Sequence, residues 1–286
     1  MGRFKRIRIL LDSIKFEHSI FALPFAFAGA VLGARGFPAP LQCLWILLAM
    51  VGARNSAMAF NRLVDEAYDA RNPRTWDRAL PKGLIRRRFL KGFIIVSSMV
   101  FVFSALMLNR LAFILSPLAL AWIFFYSYTK RFTFLSHLIL GFSYTIAPVG
   151  AYLAVTGEID RLPLLLGSGA MFWVAGFDIL YACLDFDFDR RADLHSIPRV
   201  LGIKNALRTS ILFHLMALFF FILTGISGGM GPIYFCGVAL VFSLLFVEHA
   251  VLSPKDLSRI NFSFFTVNGM ISVMFFLATL FDILVR

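Results

Sequence analysis

Apolar residues run in long blocks along this chain, broken by short polar stretches rather than alternating with them. A helix needs about 20 mostly apolar residues to cross the hydrocarbon layer of a bilayer. Nine segments fit, at about 17–35, 40–60, 89–108, 111–128, 134–155, 162–182, 208–227, 231–251 and 262–285. The expected fold class is all-α, a multi-pass membrane bundle of nine transmembrane helices forming one domain over residues 1–286. Two connections are longer than the rest, at about 61–88 and 183–207. Irregular backbone is not tolerated against lipid, so long connections in such a bundle are expected to carry function.

Composition agrees. Of 286 residues, 59% are hydrophobic and 15% charged, and the mean hydropathy is +0.81. A soluble domain carries about 25% charged residues, so a water-exposed surface is excluded, as are disorder, a coiled coil and a small disulfide scaffold. Cys43, Cys183 and Cys236 stand singly in apolar segments and form no CxxC pair. The net charge of +12 does not point to nucleic acid, because the basic residues sit in short loops between apolar runs.

Their distribution fixes an orientation instead. With the N-terminus cytoplasmic, only Arg35, Arg110, Arg161 and Arg286 fall outside and Arg54 falls within a span; every other one of the 28 lysines and arginines lies inside. The basic stretch Met1–Arg8 reads as a cytoplasmic arm rather than a signal peptide, since Asp12, Lys15, Glu17 and His18 interrupt the apolar core that a signal needs. The expected location is the inner (cytoplasmic) membrane.

Both long connections then face the cytoplasm and hold most of the acids. The first cluster is Asn61-Arg-Leu-Val-Asp65-Glu-Ala-Tyr-Asp69, the second Asp185-Phe-Asp-Phe-Asp189-Arg-Arg-Ala-Asp193. In each the anchors recur at i, i+4 and i+8, one face of a helix. Like charges so spaced repel and are favourable only around cations. Oxygen ligands without His or Cys suit Mg²⁺ before Zn²⁺, and Mg²⁺ shares its positions between a few carboxylates, water and phosphate. Solvated helix ends are the bland account of one such row; two matching rows point to metal and diphosphate. Arg71, Arg74, Arg78 and Lys82 follow the first cluster, and Lys130 and Arg131 follow Tyr126 and Tyr128. Arg54 lies inside a span, where an unpaired guanidinium costs at least about 2.5–3.5 kcal/mol, so it needs a carboxylate or an anionic substrate.

These residues resemble the UbiA superfamily of intramembrane aromatic prenyltransferases over essentially the whole chain. The resemblance rests on the Asn61–Asp65–Asp69 row, Asp77-Arg-Ala-Leu-Pro-Lys-Gly83, Tyr126 with Lys130-Arg131, Asp178-Ile-Leu-Tyr181-Ala-Cys-Leu-Asp185 with Asp189, and Leu194-His-Ser-Ile-Pro-Arg-Val-Leu-Gly202. It implies nine helices around a central lipid-accessible cavity and Mg²⁺-dependent transfer of a prenyl chain from a prenyl diphosphate. By the same resemblance Asn61, Asp65, Asp69, Asp185 and Asp189 serve the metal–diphosphate site. Lys130 and Arg54, with Arg62, Arg78, Tyr126 and Arg131, would contact the diphosphate or the acceptor. The chain departs from the family at Arg62, where the first motif usually has Asp; the site loses a carboxylate and gains a guanidinium.

Asp178 and Tyr181 precede Asp185 by one to two turns, and an intramembrane carboxylate is a functional candidate. They are expected to orient the acceptor or receive its ring proton, with Lys130 beside them; His195 is expected to be a loop residue with a structural hydrogen bond. The expected partners are polyprenyl diphosphate, an aromatic acid and membrane lipid. The resemblance is closest to bacterial 4-hydroxybenzoate polyprenyltransferases of quinone biosynthesis. A naphthoate-type acceptor in the futalosine route to menaquinone is the alternative, and a cation-coupled transporter the reading from another class.

Overall fold

The computed structural model describes residues 9–10, 12–14 and 19–286; the arm Met1–Arg8 and His18 lie outside the described residues. Its helices are α1 (Ser19–Ala34), α2 (Pro40–Val64), the short α3 (Glu66–Asp69), α4 (Arg87–Leu108), α5 (Arg110–Thr129), α6 (Ser136–Thr156) and α7 (Arg161–Ala182). After a 3₁₀ turn, Cys183–Asp185, come α8 (Phe186–Arg191), α9 (Ile197–Ser227), α10 (Pro232–Ala250), α11 (Ile260–Phe262), a π turn at Ser263–Val267 and α12 (Asn268–Val285). Among the described residues, eight helical segments are long and apolar enough to cross a membrane. The first expected span is a shorter apolar helix, α1, of 16 residues.

The ends of these helices follow from local chemistry. Pro40 opens α2 with its φ preset. Asn109 Oδ1 accepts from Ala112 N at 2.8 Å to cap α5, and Asp160 Oδ1 accepts from Leu162 N at 2.8 Å to cap α7. Gly157 closes α6 in the left-handed region, at φ 77°.

The second long connection is the main correction. Residues 183–207 were expected as a loop, yet most of the stretch is helical. The acidic row itself continues the helix as far as Arg191, and Ser196 Oγ accepts from Arg199 N at 3.4 Å to start α9 eleven residues before the expected span. Gly202, at φ 76°, is non-helical and kinks α9, separating the segment that starts at Ile197 from the long apolar segment that follows. Of the first connection, 70–86 is a run of tight turns between α3 and α4, whereas 61–64 end α2, 66–69 form α3 and 87–88 begin α4.

The long helices form a closed ring in which α1 packs between α6 and α12 and α7 sits between α6 and α9. Small residues allow close approach, as is usual inside membranes. A Cβ on Gly29 would lie 2.1 Å from Pro148 O, and one on Gly141 would lie 2.2 Å from Met171 O. Phe25 stacks on Trp173 and Phe275, with ring centroids 4.8 and 5.0 Å apart.

Beside this aromatic core lies a buried polar network. Trp173 Nε1 donates to Asn268 Oδ1 at 2.7 Å, Asn268 Nδ2 donates to Glu248 Oε1 at 2.7 Å, and Ser263 Oγ donates to the same oxygen at 2.9 Å. These bonds pin the π turn. Asn268→Leu strands an indole N–H and removes one donor from a buried carboxylate, at about 1–3 kcal/mol for a stranded group. The expected result is a thermal midpoint lowered by several degrees in detergent; a midpoint equal to that of the parent protein would show that the network does not hold the turn.

Candidate active site

The C-terminal ends of α2, α5 and α7 converge on a cavity of about 190 Å³. Every residue expected at the site except Arg54 lines it: Asn61, Arg62, Asp65 and Asp69 from one side, Tyr126, Lys130 and Arg131 from α5, Asp178, Tyr181, Asp185 and Asp189 from the other, and Arg78 from the connecting turns. The two acidic rows, more than 100 residues apart in sequence, share one rim.

On the first row, Asn61 Nδ2 donates to Asp65 Oδ2 at 2.9 Å. Arg131 Nη2 donates to Val64 O at 2.9 Å and lies 3.4 Å from Asp65 Oδ1, with its guanidinium over the rings of Tyr68 and Tyr128. Arg78 Nη1 donates to Asp69 Oδ1 at 2.6 Å. Burial, reinforced by the neighbouring charge of Asp69, holds the Asp65 carboxyl above the usual range. Arg62 is buried; its Nε donates to Ser13 O at 3.0 Å and its Nη1 to Asn61 Oδ1 at 3.4 Å. The side chain that replaces the usual motif Asp thus fixes the direction of Asn61.

On the second row, Asp185 is gripped from across the rim. Asn72 Nδ2 donates to Asp185 Oδ1 at 2.9 Å, Arg74 Nε donates to the same oxygen at 2.9 Å, and Arg74 Nη2 donates to Oδ2. Arg74 Nη1 also donates to Tyr181 OH at 2.9 Å. Burial pulls the Arg74 guanidinium down, but its bonds to Asp185 and Tyr181 outweigh this and hold it above its ordinary value. The Lys130 ammonium is likewise raised: burial opposes the charge, and the carboxylates of Asp189, Asp178, Asp185 and Asp65 more than restore it. Arg74 and Lys130 therefore stay charged at every physiological pH.

Asn72, Arg74 and His137 are the residues that the sequence did not assign to the site. Arg74 stood only among the cations of the first connection. His137, at the start of α6, contacts Asp178 through Nδ1 at 2.6 Å, while its Nε2 faces Ile197 N at 3.3 Å. Acceptance from a backbone N–H at Nε2 assigns the proton to Nδ1, so His137 donates to Asp178 and aims its carboxylate. A lone His at the start of an apolar segment was the only available signal. His195 is not in the cavity: its backbone N donates to Lys130 O at 2.6 Å, whereas its ring Nδ1 is buried without a hydrogen bond to any described residue.

Arg54 lines the chamber below, a cavity of about 270 Å³ that shares Asn61, Arg62, Arg78, Tyr126, Asp178 and Tyr181 with the polar rim. Its Nη1 is 3.5 Å from Ile14 O. Met50, Ala53, Phe101, Ala119, Ile146 and Ala147 are common to this chamber and a third, apolar cavity of about 450 Å³ among α2, α4, α5 and α6. Polarity thus falls stepwise from a charged rim, through a chamber with the guanidiniums of Arg54, Arg62 and Arg78 and several aromatic rings, to a greasy channel.

Two buried oxygens on the rim, Asp69 Oδ2 and Asp189 Oδ2, have no hydrogen-bond partner among the described residues, although Asp69 Oδ2 lies 3.9 Å from Arg62 Nη1. A buried carboxylate oxygen is costly in that state, and a hard divalent cation satisfies it. Among the described residues no three His, Cys, Asp or Glu side chains gather closely enough to hold a metal by themselves. The rim fits a cation whose remaining positions come from a second ligand rich in oxygen.

A sequence model of the UbiA prenyltransferase family matches residues 22–279. The 4-hydroxybenzoate octaprenyltransferase of Nitrosomonas europaea is 30% identical over 259 residues, 90% of this chain and 88% of that protein. That of Marinobacter nauticus is 28% identical over 257 residues, 88% of this chain and 85% of that protein. Among solved structures, the apo UbiA homolog from Aeropyrum pernix K1 is 34% identical, with a TM-score of 0.85 over 93% of this chain and 98% of that one. The fold is also that of a UbiA homolog from Archaeoglobus fulgidus bound to GPP and Mg²⁺, at 18% identity, with a TM-score of 0.77 over 97% of this chain and 100% of that one. This integral membrane protein belongs to the UbiA prenyltransferase family and is a prenyltransferase.

Proposed function

We propose that the protein transfers a polyprenyl group from polyprenyl diphosphate to a ring carbon of an aromatic acid of the 4-hydroxybenzoate type, as a step of quinone biosynthesis. The whole chain, 1–286, acts as one unit in the inner membrane, with the charged rim facing the cytoplasm. The observation that carries this reading is the shared rim: two carboxylate rows and a set of fixed cations above a chamber that opens into an apolar channel. A diphosphate fits the rim, an aromatic acid the chamber and a polyprenyl chain the channel. Family membership sets aside the transporter reading.

Asn61, Asp65, Asp69, Asp185 and Asp189 would hold Mg²⁺, which when bound neutralises charge on the diphosphate. Arg74, Arg78, Lys130 and Arg131 add fixed positive charge where the leaving oxygen becomes anionic, and charge held in place stabilises a transition state more than mobile solvent does. The allylic C–O bond breaks and its electron pair leaves with the diphosphate. The apolar chamber excludes water from the allylic cation, and the faces of Tyr126 and Tyr181 line it. Arg54 and Arg62 receive the acceptor's carboxylate at the chamber wall. The ring carbon ortho to the hydroxyl forms the new C–C bond, and Asp178, aimed by His137, takes the proton that the ring loses.

The test is product mass. Purified protein supplied with a prenyl diphosphate, Mg²⁺ and 4-hydroxybenzoate is expected to give the mono-prenylated acid, with activity abolished by EDTA and restored by Mg²⁺. Product from a naphthoate-type acceptor alone would move the acceptor assignment to the alternative; product unaffected by EDTA would contradict the metal role.

A further inference from the structure

The end of the bundle opposite the acidic rows holds a second polar cavity, of about 620 Å³. Arg161 begins α7 while Asp185 lies three residues beyond its end, so at about 1.5 Å per residue the two places are roughly 35 Å apart. This cavity belongs to no part of the prenyl-transfer machinery described above.

Its charge is what singles it out. Positive residues are sparse at this end, where only Arg35, Arg110, Arg161 and Arg286 were expected, and three of these four line the one cavity. They come from the ends of α1, α7 and α12 and meet only in the folded bundle. Arg35 adopts a φ of 50°, the left-handed region usually left to glycine at a helix end.

Two aspartates share the cavity but are committed elsewhere. Asp160 accepts from Leu162 N at 2.8 Å and from Tyr152 OH at 2.6 Å. Asp282 is buried and accepts from Gly231 N at 2.6 Å and Tyr234 N at 3.1 Å, tying off the start of α10. Arg286 Nη1 donates to Gly229 O. Among the described residues none of the three arginines is in an ion pair. Leu32, Leu162 and Ile283 give the cavity an apolar wall beside the guanidiniums.

Converging guanidiniums with free donors match the tetrahedral oxygens of a phosphate group, which they bind in forked pairs. An apolar wall next to them matches the glycerol and upper acyl region of a phospholipid. We propose that this cavity is a phosphate-binding site that seats the headgroup of an anionic phospholipid in the leaflet opposite the prenyl-transfer site. Such a lipid joins the ends of three helices.

The experiment uses the full-length protein in neutral detergent, titrated with phosphatidylglycerol, with phosphatidylcholine or with inorganic phosphate, and reads thermal midpoint and lipid retention by native mass spectrometry. Phosphatidylglycerol is expected to raise the midpoint and stay bound. R35Q/R161Q/R286Q is expected to bind it about tenfold more weakly, with prenyl transfer unchanged. R35Q/R161Q, which keeps the Arg286 contact to Gly229, gives the same direction of change should the triple variant fold poorly. R110Q removes the fourth arginine of this end and is expected to behave as the parent. An equal rise with inorganic phosphate, lost in the same variants, would support the phosphate site but overturn the lipid as its occupant. Equal retention of phosphatidylglycerol in the parent and both cavity variants, or equal loss in R110Q, would overturn the site altogether.

Discussion

Asp185→Asn is expected to lower prenyl transfer by about 10²–10³-fold, the scale on which removal of one group that stabilises developing charge is felt. Asp65→Asn on the opposite row is expected to do the same. Each substitution keeps size and hydrogen-bonding shape while deleting one negative charge from the rim. In Asp185→Asn the bonds from Asn72 and Arg74 have an acceptor only at the amide oxygen, so the fork from Arg74 is broken as well. If the rows act on one metal–diphosphate unit, the two losses will not multiply in the double variant, because groups that work together are strongly non-additive. The check is initial rate at saturating Mg²⁺ for the parent, both singles and the double. Unimpaired turnover in both single variants would remove the rim from the mechanism.

The second large effect falls on Arg74, which the sequence ranked only as a loop cation. Its guanidinium joins Asp185, Tyr181 OH and, through a cation–π contact of 4.9 Å, the Tyr181 ring. Arg74→Met leaves Asp185 with Asn72 as its remaining donor and frees Tyr181 at the chamber wall. Loss of one partner from a largely buried pair is far costlier than the pair's net worth. The expected result is a drop in kcat/KM of about 10²-fold, the scale of one stabilising group. Arg74→Lys recovers only part, since an ammonium restores charge but not the fork. Full rescue by Lys would show that charge alone matters; no loss in the Met variant would show that Arg74 is a bystander.

The helices were largely legible because the bilayer enforces them. The segments expected at about 89–108, 111–128 and 162–182 appear as Arg87–Leu108, Arg110–Thr129 and Arg161–Ala182. Where water replaces lipid that enforcement ends, and so did legibility. The stretch from Ile197 to Leu207 carries polar and charged positions and was assigned to a loop, although Ser196 and Pro198 are good helix-start residues. The acidic rows were legible because repulsive charges at helical spacing are hard to explain without a cation. The grip of Arg74 on Asp185 was not, since nothing local links two residues 111 positions apart. His137 was missed for the same reason: its meaning lies in Asp178, on a neighbouring helix. Arg54 was legible as a guanidinium out of place, and the structure puts it at the chamber wall rather than on the rim.

We expect neither carboxylate row to hold a metal alone and both to hold one together around a diphosphate. Mn²⁺ binding followed by electron paramagnetic resonance, with and without a non-reactive prenyl thiodiphosphate, tests this most directly. Weak Mn²⁺ binding is expected without the analogue, tight binding with it, and loss of the tight site in either Asp65→Asn or Asp185→Asn. Tight Mn²⁺ binding that persists in both variants, or that is indifferent to the analogue, would contradict it.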